Sequence, residues 1–164
     1  MKLFTSVLIL CTFLLPALHA EGESRLGGGA NYWVALDDLE SDVDENGFSY
    51  FISYQRMSGL LGFQLDFELL PDRFGEDAYA PAAYLIVGDG LYAAAGIGMV
   101  NTDGDWADDP FVALKAGINL QLFDSVFLDL SGSYRVDSET DFDTAVDAID
   151  TDTVFLGAAV RVAL

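Results

Sequence analysis

The chain has 164 residues, 52% of them hydrophobic, and a formal net charge of −20. A field this negative excludes nucleic acid as a partner, because phosphate binding needs lysine and arginine. Strong acidity and high hydrophobicity pull apart within one chain, so the charge must be segregated from the apolar residues.

The first twenty residues account for part of the hydrophobicity. Lys2 gives a short positive start, Leu3 to Leu15 is almost wholly apolar, and Pro16-Ala17-Leu18-His19-Ala20 follows. This reads as a secretory signal peptide over 1–20, cut after Ala20, because the apolar run is shorter than the roughly 20 residues of a helical span. Cleavage removes Cys11 and His19, the only cysteine and the only histidine. What is left, 21–164, cannot run a Ser-His dyad, a cysteine nucleophile or a His-ligated zinc site. It reads as one domain, with EGESRLGGG over 21–29 as a flexible lead-in.

Eight segments of strand character follow, at 29–36, 48–56, 60–69, 80–87, 91–100, 111–122, 125–136 and 153–163. The clearest is LLGFQLDFELL, 60–70. There Leu61, Phe63, Leu65, Phe67 and Leu69 alternate strictly with Gly62, Gln64, Asp66 and Glu68, the period of a strand with two unlike faces. In the second segment Phe48, Tyr50, Ile52 and Tyr54 oppose Ser49, Ser53 and Gln55. In the sixth, Val112, Leu114, Ala116, Ile118, Leu120 and Leu122 oppose Ala113, Lys115, Gly117, Asn119 and Gln121. In the seventh, Val126, Leu128, Leu130 and Tyr134 oppose Asp129, Ser131, Ser133 and Arg135. In the eighth, Val154, Leu156, Val160 and Val162 oppose Gly157, Ala159 and Arg161. The fourth, around YAPAAYLIVG, is ambiguous in register.

The connections alternate in length. Those around Met57-Ser58-Gly59, Gly88-Asp89-Gly90 and Phe123-Asp124 are short, and those at 37–47, 70–79, 101–110 and 137–152 are long. The long ones hold 20 of the 27 acidic residues and a single basic residue, Arg73. In a meander, alternate connections lie at one end, so the acids gather there. Within NTDGDWADDP, 101–110, Asp103, Asp105, Asp108 and Asp109 are hard oxygen ligands around a glycine. That is the donor type calcium or magnesium takes, although no glutamate stands at the twelfth position of an EF-hand loop. Weak divalent binding is the expectation there, beside the plainer reading of a solvated acidic loop; no other cofactor is expected. In 137–152, Phe142, Ala145, Val146 and Ile149 have helical spacing.

Three features turn the leucines outward, into lipid. The apolar faces carry large residues, while the opposite faces mix Gly, Ala and Ser with charge, which suits a narrow polar interior. The segments match the roughly 9–11 residues of a tilted transmembrane strand. Short turns at one end and long loops at the other is the asymmetry of outer-membrane barrels. The expectation is an all-β fold, an eight-stranded antiparallel up-and-down transmembrane barrel in a bacterial outer membrane. The rival is a secreted lipocalin-like barrel with an apolar cup, but Trp33 is preceded by Asn31-Tyr32, not by that family's Gly-x-Trp, and lysine is nearly absent.

Parity then places Asp66, Glu68, Lys115, Asp129, Arg135 and Arg161 inside, where charge must be paired. Asp129 and Arg161 fall near the short-turn end, and Glu68, Lys115 and Arg135 nearer the loop end. A symmetric last hairpin sets residue 129 opposite 159, two places from Arg161. Either these charges fill the lumen as a structural network or they line a gated polar path. Arg56 has outward parity at the membrane edge.

The signal peptide, the eight strands and the closing run TVFLGAAVRVAL resemble the small outer-membrane β-barrel proteins of the OmpA/OmpX-like type over essentially the whole mature chain. Such proteins typically end in an aromatic residue read by the insertion machinery; this chain ends in Leu164. Enzymes of similar barrels, a lipid A deacylase and a palmitoyltransferase, depend on a histidine that the mature chain lacks. The resemblance therefore implies a non-catalytic barrel serving envelope structure, adhesion or recognition, with a narrow channel for small solutes or ions as the alternative. Its expected partners are outer-membrane lipid, lipopolysaccharide and an unidentified surface protein or host ligand.

Overall fold

In the computed structural model, the described residues are 22–36, 46–71, 77–107, 109–136 and 152–164. The expected signal peptide, most of the long loops and the helical spacing at 142–149 lie outside them. The strands are β1 (Glu23–Ala35), β2 (Asn46–Ser58), β3 (Leu61–Leu70), β4 (Ala78–Gly88), β5 (Leu91–Gly98), β6 (Asn101–Thr102), β7 (Asp105–Trp106), β8 (Phe111–Phe123), β9 (Val126–Val136) and β10 (Thr153–Ala163). Every pairing is antiparallel, and β1 closes on β10 from Arg25↔Ala163 to Ala35↔Thr153. The result is an eight-stranded meander barrel, β1-β2-β3-β4-β5-β8-β9-β10, with β6 and β7 as a small hairpin at the long-loop end.

The first strand starts at Glu23, not at 29, so the supposed lead-in is barrel wall. Its glycines answer to space. A Cβ on Gly27 would come within 2.7 Å of the Arg161 backbone, and one on Gly29 within 2.7 Å of Ala159. The fifth segment is broken where continuity was expected, and Pro81 is the reason. Its carbonyl accepts the Met99 amide at 3.1 Å, but a proline has no N–H to return. The ladder lapses at Met99–Val100 and resumes, in the same register, at Tyr79↔Asn101. Beyond it, Asp103 and Gly104 have φ of 52° and 90°. Two successive positive φ values make the primed turn that an Asp-Gly pair favours in a two-residue hairpin.

The apolar faces point outward. Leu61, Leu65 and Phe67 of β3 and Val112, Leu114, Ile118, Leu120 and Leu122 of β8 are all exposed. This overturns the lipocalin-like alternative, whose cup would have buried them. On β4, Tyr79, Leu85 and Val87 face out and Ala78, Ala80, Ala82, Tyr84 and Ile86 face in. Aromatic pairs stud the outer rims: Tyr32–Phe48 at 5.3 Å and Phe67–Tyr79 at 5.8 Å toward the loops, and Tyr54–Phe63 at 5.9 Å toward the short turns. Girdles of this kind bracket the apolar band of membrane barrels.

The interior is more aromatic than the sequence pattern suggested. Trp33, Phe51, Tyr84, Tyr92, Phe111, Phe127 and Phe155 are all buried there. Neighbouring strands make room by giving up side chains. Gly96 lies opposite Tyr84, Gly117 opposite Tyr92 and Gly98 opposite Phe111, and a Cβ on Gly117 would sit 2.6 Å from the Tyr92 hydroxyl.

An outward wall bathed in hydrocarbon makes a direct prediction. Ile52 lies halfway along β2, faces out and is 65% exposed. Replacing it with Arg is expected to cost about 2–4 kcal/mol, the range for a cation at the bilayer midplane, measured by urea unfolding from lipid vesicles. A loss near zero would mean that this wall does not meet lipid.

Candidate functional site: a charged lumen

The six charges assigned inward by parity stand in three ion pairs. Arg135 meets Glu68 through a charge-assisted hydrogen bond from Nη2 to Oε2. Lys115 Nζ lies 3.0 Å from Asp66 Oδ2. Arg161 Nη1 lies 3.0 Å from Asp129 Oδ2. Two of these pairs span the barrel, joining β3 to β8 and to β9. The third joins adjacent strands, because Asp129 is registered with Ala159, two places from Arg161. Such diagonal neighbours are within reach of a long side chain.

Polar side chains knit the pairs into two networks. Toward the loop end, Glu68 Oε1 accepts from Asn31 Nδ2 at 2.6 Å and from the Ser49 hydroxyl. Toward the short turns, Arg161 donates from Nε to Ser53 Oγ at 3.0 Å and from Nη2 to Gln64 Oε1 at 3.2 Å. Gln55 Nε2 donates to the same Gln64 oxygen at 3.1 Å, and Gln64 Nε2 donates to both Asp66 oxygens at 2.8 Å. A buried charge is tolerated only when its remaining hydrogen-bonding capacity is met in this way.

Aromatic rings take the faces of the cations. The Arg135 guanidinium lies 4.0 Å from the Phe155 ring centre and 4.7 Å from that of Phe111, and Lys115 Nζ lies 4.4 Å from that of Tyr84. For cations as buried as Lys115 and Arg135, each such contact adds about 1–2 kcal/mol of attraction. The polar interior is therefore occupied by salt bridges and rings together.

Arg25 belongs to this set and escaped the sequence reading, since it fell in the supposed lead-in. It stacks 3.7 Å over Phe127, donates from Nη1 to Gln55 Oε1 at 3.3 Å, pairs with Glu23, and lies 3.8 Å from Asp89 in the β4–β5 turn. The signal was present: counting back from Trp33 by twos reaches Asn31, Gly29, Gly27 and Arg25 on one face.

Three of the four candidate loop aspartates fall among the described residues. Asp103 sits in the hairpin turn, Asp105 begins β7, and both are exposed, as is Asp109; Asp108 lies outside the described residues. Among the described residues no group of three or more metal-ligating side chains comes together. Trp106, in the same hairpin, is 53% exposed, whereas Trp33 is 1% exposed in the lumen.

The closed eight-stranded wall agrees with the comparisons. The chain is similar to neisserial surface protein A, at 17% identity and a TM-score of 0.57, over 86% of this chain and 96% of that one. It is also similar to the N-terminal β-barrel domain of OprF from Pseudomonas aeruginosa, at 12% identity and a TM-score of 0.54, over 88% of this chain and all of that one. The fold is that of the small eight-stranded outer-membrane β-barrels. The exposed apolar belt around this closed wall is that of a barrel that spans a membrane. No protein-family model matches the sequence, and no curated protein does.

The lumen pairs make a stability prediction. Arg161→Met leaves Asp129 buried without its cation and is expected to cost about 3–5 kcal/mol in urea unfolding. Adding Asp129→Asn removes the stranded charge and should recover part of that loss. Strictly additive losses in the cycle would show that the two residues do not interact.

Proposed function

We propose that this protein is a non-catalytic outer-membrane barrel that holds a set of long, acidic loops above the membrane as a surface for recognition or adhesion. The observation that carries this reading is the filling of the lumen. Ion pairs Arg135–Glu68, Lys115–Asp66 and Arg161–Asp129, together with the buried rings of Trp33, Phe51, Tyr84 and Phe111, occupy the space a solute would need. An eight-stranded interior is only wide enough for side chains. Catalysis has no support in the residues: the mature chain has neither histidine nor cysteine, and the lumen carboxylates are engaged with cations.

The loops are then the part left free to act. Their acids repel one another unless cations screen them. Divalent ions shared with anionic lipopolysaccharide relieve both charges, in a diffuse manner.

Two measurements test the proposal. In planar bilayers the purified barrel is expected to be electrically silent; reproducible single-channel steps would replace this reading with the narrow-channel alternative. In thermal unfolding, calcium and sodium chloride at equal ionic strength should stabilise the barrel equally. An excess for calcium would point to a specific site in place of diffuse screening.

A further inference from the structure

The outer wall of the barrel carries almost no positive charge. Arg25, Lys115, Arg135 and Arg161 all point into the lumen. Among the described residues, Arg56 is the one basic side chain on the outside. It stands two residues from the end of β2, at the short-turn rim, directly across from Phe63 of β3 and Ser24 of β1. Its surroundings are ordered. Arg56 Nη1 donates to Ser24 Oγ at 3.1 Å, and Ser24 Oγ lies 3.1 Å from the Tyr54 hydroxyl. Tyr54 in turn packs on Phe63, which, although on the lipid side of its strand, is 7% exposed. The result is a guanidinium and two hydroxyls held together on a lipid-facing wall, over an apolar floor.

We infer that Arg56, Ser24 and Tyr54 form a seat for the phosphate of a membrane phospholipid in the leaflet on the short-turn side. Three considerations point to that occupant. The cluster lies at the rim, where the apolar belt gives way to headgroups, and the anion present at that depth in every phospholipid is its phosphate. A guanidinium forks onto phosphate oxygens with two parallel N–H donors, and hydroxyls extend the same recognition. The exposed apolar surface of Leu26 and Leu65, on the mid-barrel side of the cluster, offers the lipid's chains a wall to lie on, so head and tail are met together. The loop end, dominated by carboxylates, disfavours such an anion. Among the described residues, the outward-facing cation therefore stands on the short-turn rim. This inference rests on the membrane-spanning reading.

The test is native mass spectrometry of the full-length folded barrel, purified from membranes in detergent and stripped of lipid. It is titrated separately with phosphatidylethanolamine, phosphatidylglycerol and dioleoylglycerol. The wild-type barrel should retain one molecule of either phospholipid and release dioleoylglycerol. Arg56→Gln should lower phospholipid occupancy at least about tenfold, the loss of one charge-assisted contact. Arg56→Lys, Ser24→Ala and Tyr54→Phe should each lower it by less, and heat-modifiable gel mobility should show every variant folded. Equal retention by Arg56→Gln, or equal retention of dioleoylglycerol, would overturn the site. Displacement of the lipid by millimolar inorganic phosphate would reassign it to a free anion. A barrel that stays soluble without detergent would overturn the membrane reading itself, before any lipid is added.

Discussion

Closure of the sheet is the constraint from which the rest of this structure follows. In hydrocarbon an unpaired backbone amide has no water to turn to and costs several kcal/mol. The first strand must therefore find the last, as β1 finds β10 along its length. Once the ring is closed at eight strands, its radius is set, and with it the small interior that side chains must fill without leaving voids. Alternation then becomes obligatory, since each residue faces either lipid or that interior.

The interior is solved by pairing, in two senses. Charges are paired with charges, because a lone buried ion costs more than any contact on its other side returns. Sizes are paired as well: a ring on one strand lies against a glycine on the next, as Tyr84 does against Gly96 and Tyr92 against Gly117. Both rules act at the same positions. Arg161 needs Asp129 for its charge and Gly27 for its stem, whose Cγ a Cβ there would approach to 2.8 Å. A change at one of these positions disturbs charge balance and packing together.

Much of this was legible in the sequence, and the parts that were not share a cause. Two-residue alternation located the eight barrel strands and sorted Leu114 from Lys115 without any knowledge of neighbours. It failed where one face carries no chemical contrast. GGG over 27–29 reads as linker because glycine has no face, so β1 was shortened and Arg25 lost from the lumen. YAPAAYLIVG is apolar on both sides, and its register is set by β3 and β5. The buried rings were missed because, taken alone, a phenylalanine facing inward looks like one facing lipid. Its direction depends on the glycine beside it in space, which lies on another strand. In 101–110, Asp103 and Gly104 form the turn of the β6–β7 hairpin, which the aspartate spacing alone did not announce.

The two tryptophans stand in opposite surroundings, and this gives the molecule built-in optical reporters. Trp33 is enclosed among lumen side chains and Trp106 is half exposed on a rim hairpin. A water-soluble collisional quencher reaches the second and not the first while the barrel is closed. Emission from Trp33 alone therefore tracks the integrity of the wall, and emission from Trp106 tracks events among the loops. With each replaced in turn by phenylalanine, the core and the surface of one protein can be followed separately, without attaching a dye.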